Sequence, residues 1–216
     1  MKNFYLIFFL FSFFACKEDF AFKKETFYLL PNTRNWKVDT KKYEKMSFES
    51  STNENIMLDL AYNREEFSPS KTTVAGIPTK IAKYERITQT FNGLGNSFSI
   101  TMDGFDEPLG NMVSVHLNNI GFSLKFSNFE LFNVSNNNQS FTNPNYSGVN
   151  SSKIQSIVKF ESDFKVNEKV FPQVLVFELK DGKIEDLEVD KIILAPLVGL
   201  VYFKTQSGVE YWRVNI

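Results

Sequence analysis

The stretch NMVSVHLNNIGFSLKF, residues 111–126, decides the fold class. Val113, Val115 and Leu117 alternate with Ser114, His116 and Asn118, and Phe122 to Phe126 repeats the alternation. Strand side chains point to opposite faces with a period of two, so each run lays one apolar row on a core and one polar row toward water. Phe98, Ile100 and Met102 do the same against Ser99 and Thr101. The run VLVFEL, residues 174–179, is apolar on both faces, as a central strand covered on each side should be. No window of a dozen residues carries a 3.6-residue apolar stripe. Only Lys37–Met46 and Ile184–Asp190 offer room for short helical turns, so the expected class is all-β.

Turn chemistry divides these runs. Asn92-Gly93, Asp103-Gly104, Asp181-Gly182 and Ser207-Gly208 each provide an easy left-handed position, and prolines fall at 108, 144, 172 and 196. Residues 133–153, with their Asn-Asn-Asn-Gln run, read as one long exposed polar loop. The chain of 216 residues is long enough to bury a sizeable core. Its 23% charged and 43% hydrophobic residues suggest neither wholesale disorder nor a multi-span membrane protein. Phe is unusually frequent, at 24 residues, and its rings suit pleated, half-buried strands. A net charge of −1 offers no basic face to displace phosphate counterions, which argues against a nucleic-acid partner.

The N-terminus is organised differently. Met1-Lys2-Asn3 supplies a positive start, Phe4 to Phe14 is almost wholly apolar, and Ala15 is a small residue before Cys16. This is a signal-peptide layout. As a helix, about eleven apolar residues reach about 16 Å, roughly half of a bilayer's hydrocarbon core, too short for a permanent span.

Phe13-Phe14-Ala15-Cys16 resembles the lipobox of bacterial lipoproteins, departing from it in Phe13, where the family usually has Leu, and in Phe14, where it has a small residue. The resemblance implies cleavage between Ala15 and Cys16, a diacylglyceryl group on the sulfur and acylation of the new N-terminus. The chemistry agrees, because Cys16 is the only cysteine and closes no internal disulfide. Lys17-Glu18-Asp19 resembles the surface-export signal of lipoproteins in the Bacteroidota, which implies display on the outer leaflet of the outer membrane; a periplasm-facing attachment is the alternative.

A second resemblance lies further on. KVNEKVFPQVLVFEL (165–179) and IILAPLVGLVYFKTQSGVEYWRV (192–214) resemble the closing pattern of small Bacteroidota lipoproteins, and FYLLPNTRNWKVDT (27–40) resembles their opening. The likeness implies a curved antiparallel sheet, built as a sandwich or a partly open barrel. Pro196 and Gly199 should bend the chain between Leu194 and Val201, and Ser207-Gly208 should bring Tyr202 or Phe203 beside Tyr211 or Trp212. The expected organisation is a signal peptide over 1–15, a lipidated cysteine and tether over 16–26, and one β-rich domain over 27–216.

The residues carry little that reads as catalysis, and no catalytic, metal or cofactor site is expected. His116 is the only histidine and belongs to the polar side of its strand, so no His-based metal cluster or Cys-His site can be built. Gly93-Leu94-Gly95 lacks the third glycine of a phosphate loop and reads as a turn. Ser68-Pro69-Ser70-Lys71 matches Ser-x-x-Lys formally, but Pro69 disfavours the helix that this chemistry uses. Asp103, Asp106 and Glu107 put three carboxylates near Gly104, a weak calcium arrangement or a solvated turn. Three functions follow. The first is a lipid-anchored, non-catalytic envelope or surface domain, with the membrane as partner through Cys16 and a protein or glycan as ligand. The second is a carrier or sensor of a hydrophobic ligand in an aromatic-lined cavity. The third is a carbohydrate- or peptidoglycan-active enzyme with paired carboxylates.

Overall fold

The computed structural model describes residues 24–74, 77–105, 110–125, 130–136, 139–142, 155–181 and 189–216. They are nearly all β. The strands are β1 (Lys24–Phe27), β2 (Lys45–Ser50), β3 (Asn55–Val74), β4 (Ile77–Gly93), β5 (Asn96–Gly104), β6 (Asn111–Leu117), β7 (Ile120–Lys125), β8 (Glu130–Asn136), β9 (Gln139–Thr142), β10 (Gln155–Glu161), β11 (Phe164–Val166), β12 (Lys169–Phe171), β13 (Val174–Asp181), β14 (Val189–Ala195), β15 (Gly199–Thr205) and β16 (Glu210–Arg213). One short helix, α1 (Pro31–Arg34), follows β1, with a proline in its first turn and Arg34 in its last.

Fourteen strands form one sheet in the order β10-β13-β14-β15-β16-β2-β3-β4-β5-β6-β7-β8-β9, with β1 added in parallel to β4. Every other pairing is antiparallel, and the sheet curls strongly into a half-barrel. Its inner face carries the alternating apolar rows read from the sequence. Phe98, Ile100 and Met102 of β5, Val113, Val115 and Leu117 of β6, and Ile120, Phe122 and Leu124 of β7 are all buried. Across the interior Phe122 stacks on Phe177 of β13, ring centroids 4.4 Å apart and planes within 7°. Complete burial of such a side chain is worth about 1.5–3 kcal/mol. β13, the run apolar on both faces, is buried from Val174 to Phe177 and lies between β10 and β14, as expected of a covered strand.

The cover on its side of the sheet includes a small ribbon. β11 and β12 pair with each other apart from the main sheet, and Val166 and Phe171 are buried. Phe164 meets Tyr202 edge-on at 6.2 Å, and Asn167 donates to the Arg213 carbonyl at 3.3 Å.

One end of the half-barrel is plugged by residues 28–43. Their ties are polar side chains from the inner face. The Glu85 carboxylate accepts the Leu29 N–H at 3.0 Å and pairs with Arg34, and Asn111 accepts the Leu30 N–H at 2.7 Å. Gln89 accepts the Val38 N–H at 2.7 Å and donates to the Val38 carbonyl at 2.9 Å. Trp36 reaches the far wall, 5.7 Å from the Phe160 ring. Leu197, at φ 63°, donates its N–H to the Asn35 carbonyl and accepts from the Asp39 N–H. The C-terminus locks the same end. Fully buried Arg213 donates to the carbonyls of Val198 and Leu200, lies 4.7 Å from the Tyr43 ring, and bonds the Asn215 amide oxygen at 3.1 Å. No carboxylate is among these partners, and burial lowers the guanidinium pKa to about 10.

Several expectations need correction. The β4–β5 hairpin turns at Leu94-Gly95, since Gly93 pairs with Asn96, so Asn92-Gly93 belongs to the strand. A Cβ on Gly93 would fall 2.0 Å from the Met57 carbonyl oxygen, and that close backbone approach explains the glycine. Asp103-Gly104 is likewise strand; a Cβ on Gly104 would sit 2.8 Å from the Tyr28 carbonyl carbon, so this glycine admits the plug. Within the expected loop 133–153, residues 133–136 and 139–142 pair as β8 and β9, because backbone pairing needs no apolar row; 143–153 lie outside the described residues. The expected tether 16–26 shortens, since Lys24, Glu25 and Thr26 pair with β4.

Other expectations hold. Residues 39–43 make a single helical turn, the Tyr43 N–H reaching the Asp39 carbonyl. The helical turns expected over Ile184–Asp190 are not among these, since Val189 and Asp190 open β14 and Ile184 to Glu188 lie outside the described residues. Tyr202 pairs with Trp212 and Phe203 with Tyr211.

Candidate binding cleft at the turn end

The end opposite the plug is formed by turns. Four of them, β2–β3, β4–β5, β6–β7 and β15–β16, meet the start of β14 around an open cleft of about 730 Å³. Asn96, Asn118, Asn55, Gln206 and Ser207 contribute amides and a hydroxyl to its walls, and Phe203, Ile56 and Val189 apolar surface.

Each turn is held locally. In β2–β3 the Ser50 hydroxyl accepts the Thr52 and Glu54 N–H groups at 3.2 and 2.9 Å, with Asn53 at φ 64°. In β15–β16 Thr205 accepts the Val209 N–H at 3.0 Å, and Gly208 takes φ 90°. The β4–β5 and β6–β7 turns are joined to each other. Asn118, at φ 53°, accepts the Ser97 N–H at 2.9 Å and donates to the Asn96 side chain at 3.0 Å, while its own N–H reaches the Ser97 carbonyl. The rim is therefore held by hydrogen bonds of its own, independent of any ligand.

The floor is aromatic. Phe203 and Tyr211 stack with centroids 4.4 Å apart, and Phe48 meets Phe203 edge-on at 5.5 Å. The Tyr211 hydroxyl donates to Glu54 at 2.9 Å. Burial, reinforced by that bond, raises the phenol pKa. Glu54 is the one carboxylate among the described residues lining the cleft. Hydrolysis by paired carboxylates needs a second across the cleft, so this site lends the enzyme reading no support. A second groove of about 490 Å³ shares Asn55, Ile56 and Asn96 and continues past exposed Met57 and Leu94.

None of the residues that the sequence offered for anchoring, catalysis or metal binding lines either opening, although Phe203, Ser207 and Tyr211 of the expected hairpin line the cleft and Gly93 and Leu94 of the expected turn line the groove. Ala15, Cys16, Lys17, Glu18 and Asp19 lie outside the described residues, as do Asp106 and Glu107. Asp103 binds Arg86 through both carboxylate oxygens, at 2.5 and 3.2 Å, which accounts for it without a cation. His116 is on the outward face of β6, between Ser99 and Gly121. Ser68 and Lys71 are strand residues of β3. Among the described residues no group of three or more His, Cys, Asp or Glu could hold a metal, and no helix is long and apolar enough to cross a membrane. The cleft residues escaped sequence reasoning because they are turn asparagines and serines, common in any loop; only the positions before each apolar run mark them. Comparison with protein-family models, curated proteins and solved structures finds no match.

Proposed function

We propose that the chain is a lipid-anchored binding domain of a bacterial outer membrane, tied through Cys16 and offering its turn-end cleft to a ligand. The observation that carries this reading is the separation between the chain's point of entry and the cleft. β1 starts at Lys24, which pairs with Ile81, and β4 runs from there to Gly93 beside the cleft. Twelve residues of strand cover about 40 Å. An anchor at Cys16 would hold the plugged side toward the bilayer and turn the cleft outward.

The cleft suits an uncharged, hydrogen-bonding ligand such as a glycan. Its rim is made largely of amides and hydroxyls. The interior, by contrast, is filled by buried side chains and plugged, which weighs against a carrier of hydrophobic cargo. Lys17-Glu18-Asp19 favours display on the cell surface over a periplasm-facing position.

Metabolic labelling with a fatty acid and cell fractionation test the anchor. The parent should take up label and sediment with outer membranes, and Cys16→Ala should do neither. A parent without label, with the variant still in the membrane fraction, would sink the reading. Protease added to intact cells, with Lys17, Glu18 and Asp19 changed to Ala, tests display separately.

A further inference from the structure

We propose that the free edge of β3 is a self-pairing surface, on which a second copy of this chain lays its own β3 antiparallel about a two-fold axis at Glu65. This surface is independent of the anchor at Cys16 and of the cleft.

The edge is open because β2 is short. β2 pairs with β3 from Asn55 to Asp59, and the Glu44 carbonyl accepts the Leu60 N–H at 2.8 Å. From there, among the described residues, β3 continues against β4 alone. Ala61 to Glu65, Phe67 and Pro69 are exposed.

The direction of the backbone groups follows from the ladder. Successive residues of a strand turn their N–H and C=O groups to opposite edges. Leu60 faces β2, and the bulge between Leu60 and Tyr62 shifts the alternation by one residue. Beyond the bulge, Asn63, Glu65 and Phe67 therefore direct both groups at the open edge. Pro69 falls in the same series, where its missing N–H leaves the β4 ladder intact. An edge of this kind is a template for another strand.

The side chains select the partner. Asn63, Glu65 and Phe67 stand opposite buried Gln89, Ile87 and Glu85 on the inner face, so Tyr62, Arg64, Glu66 and Ser68 make the outer row. Charges on a free edge ordinarily forbid pairing. Here their order is palindromic about Glu65. In an antiparallel pair centred on that residue, Arg64 lies directly opposite Glu66 of the second copy, and Glu66 opposite its Arg64, an arrangement that stabilises cross-strand pairs. Arg64 and Glu66 already lie 2.8 Å apart within one strand, so the pairing closes a ring of alternating charges. On the inner face Asn63 meets Phe67, and Glu65 meets its counterpart with Lys37 of each copy paired to it. The two neighbouring registers set Arg64 against Arg64 or Glu66 against Glu66. The ladder also ends where the slot does. Pro69 comes opposite Ala61, next to the residue at which Glu44 closes the edge. The contact uses the same patch on both copies and closes as a dimer.

Self-cross-linking tests the register. In a hydrogen-bonded antiparallel pair the facing Cα atoms are about 5.5 Å apart, within reach of a disulfide. Each variant is made in the full-length chain with Cys16→Ser, kept in detergent, so that it carries one thiol. Under mild oxidation Glu65→Cys should form a disulfide dimer severalfold faster than Tyr62→Cys, whose counterpart is displaced by about 20 Å along the paired strands. Adding Arg64→Glu to Glu65→Cys should slow cross-linking about tenfold, and adding Glu66→Arg as well should restore it. Equal rates at 62 and 65, or a rate at 65 that ignores Arg64→Glu, overturn the self-pairing and leave the slot to an extended segment of another protein.

Discussion

Glu85 accepts the Leu29 N–H at 3.0 Å from inside the half-barrel, so a strand side chain does what a neighbouring backbone does elsewhere in the sheet. Gln89 does the same for both polar groups of Val38. Removing either side chain strands buried backbone groups, each costing about 1–3 kcal/mol. Glu85→Ala and Gln89→Ala should each lower unfolding stability by about 2–4 kcal/mol in urea titration. Glu85→Gln, which retains an acceptor, should recover part of the loss.

Gly104 is where plug and sheet come closest. A methyl there would lie 2.8–3.0 Å from backbone atoms of Tyr28 and Leu29. Gly104→Ala should therefore cost about 1–3 kcal/mol by forcing the plug away. Gly95, at φ 71° with open space around it, should show only the backbone cost of about 1 kcal/mol. Thermal denaturation of the two variants side by side checks the order.

At the cleft, Asn118 combines a left-handed backbone with bonds to two partners. Asn118→Ala should lose about 2–3 kcal/mol, from those bonds and from strain at φ 53°. Asn118→Gly should regain about 1 kcal/mol of that, because only the bonds are then missing. A denaturant series over the three proteins separates the two parts.

His116 gives the fold a mild acid sensitivity. Partial desolvation by the flanking strands lowers its pKa below the ordinary 6.5. Between the two values the unfolded chain holds the proton and the folded one does not, so stability rises with pH and is lost as pH falls through that window. Subtracting the profile of His116→Gln from that of the parent should leave this slope alone. A difference that falls as pH rises through that window would reverse the assignment.

The alternating runs of β5, β6 and β7 were legible because each has one wet and one dry face, and the hairpin pairing Phe203 with Tyr211 followed from Ser207-Gly208. The plug was not legible. Glu85, Gln89 and Asn111 are polar residues in polar surroundings, and nothing local says that they turn inward to receive another segment. The outer half of β3 was missed for the opposite reason. Its residues from Ala61 to Glu65 are exposed on both faces, so NREEFSPS shows no alternation, and Pro69 stands on an edge where no neighbouring strand requires its missing N–H. The cleft could not be foreseen, since it exists only where four distant turns converge.

The fastening of residues near 45 to those near 213 sets a timetable for the newly made chain. β2 finds its second neighbour only in β16, and the Lys45 carbonyl and Ser47 N–H wait for Asn215. A chain made from its N-terminus can pair β2 to β9 in sequence order, yet holds one edge of β2 open while the remainder follows. The outer edge of β2 is then completed only once residues 210–215 are in place, and removing Arg213 and Asn215 should unsettle the strand near residue 45 as well as its partner.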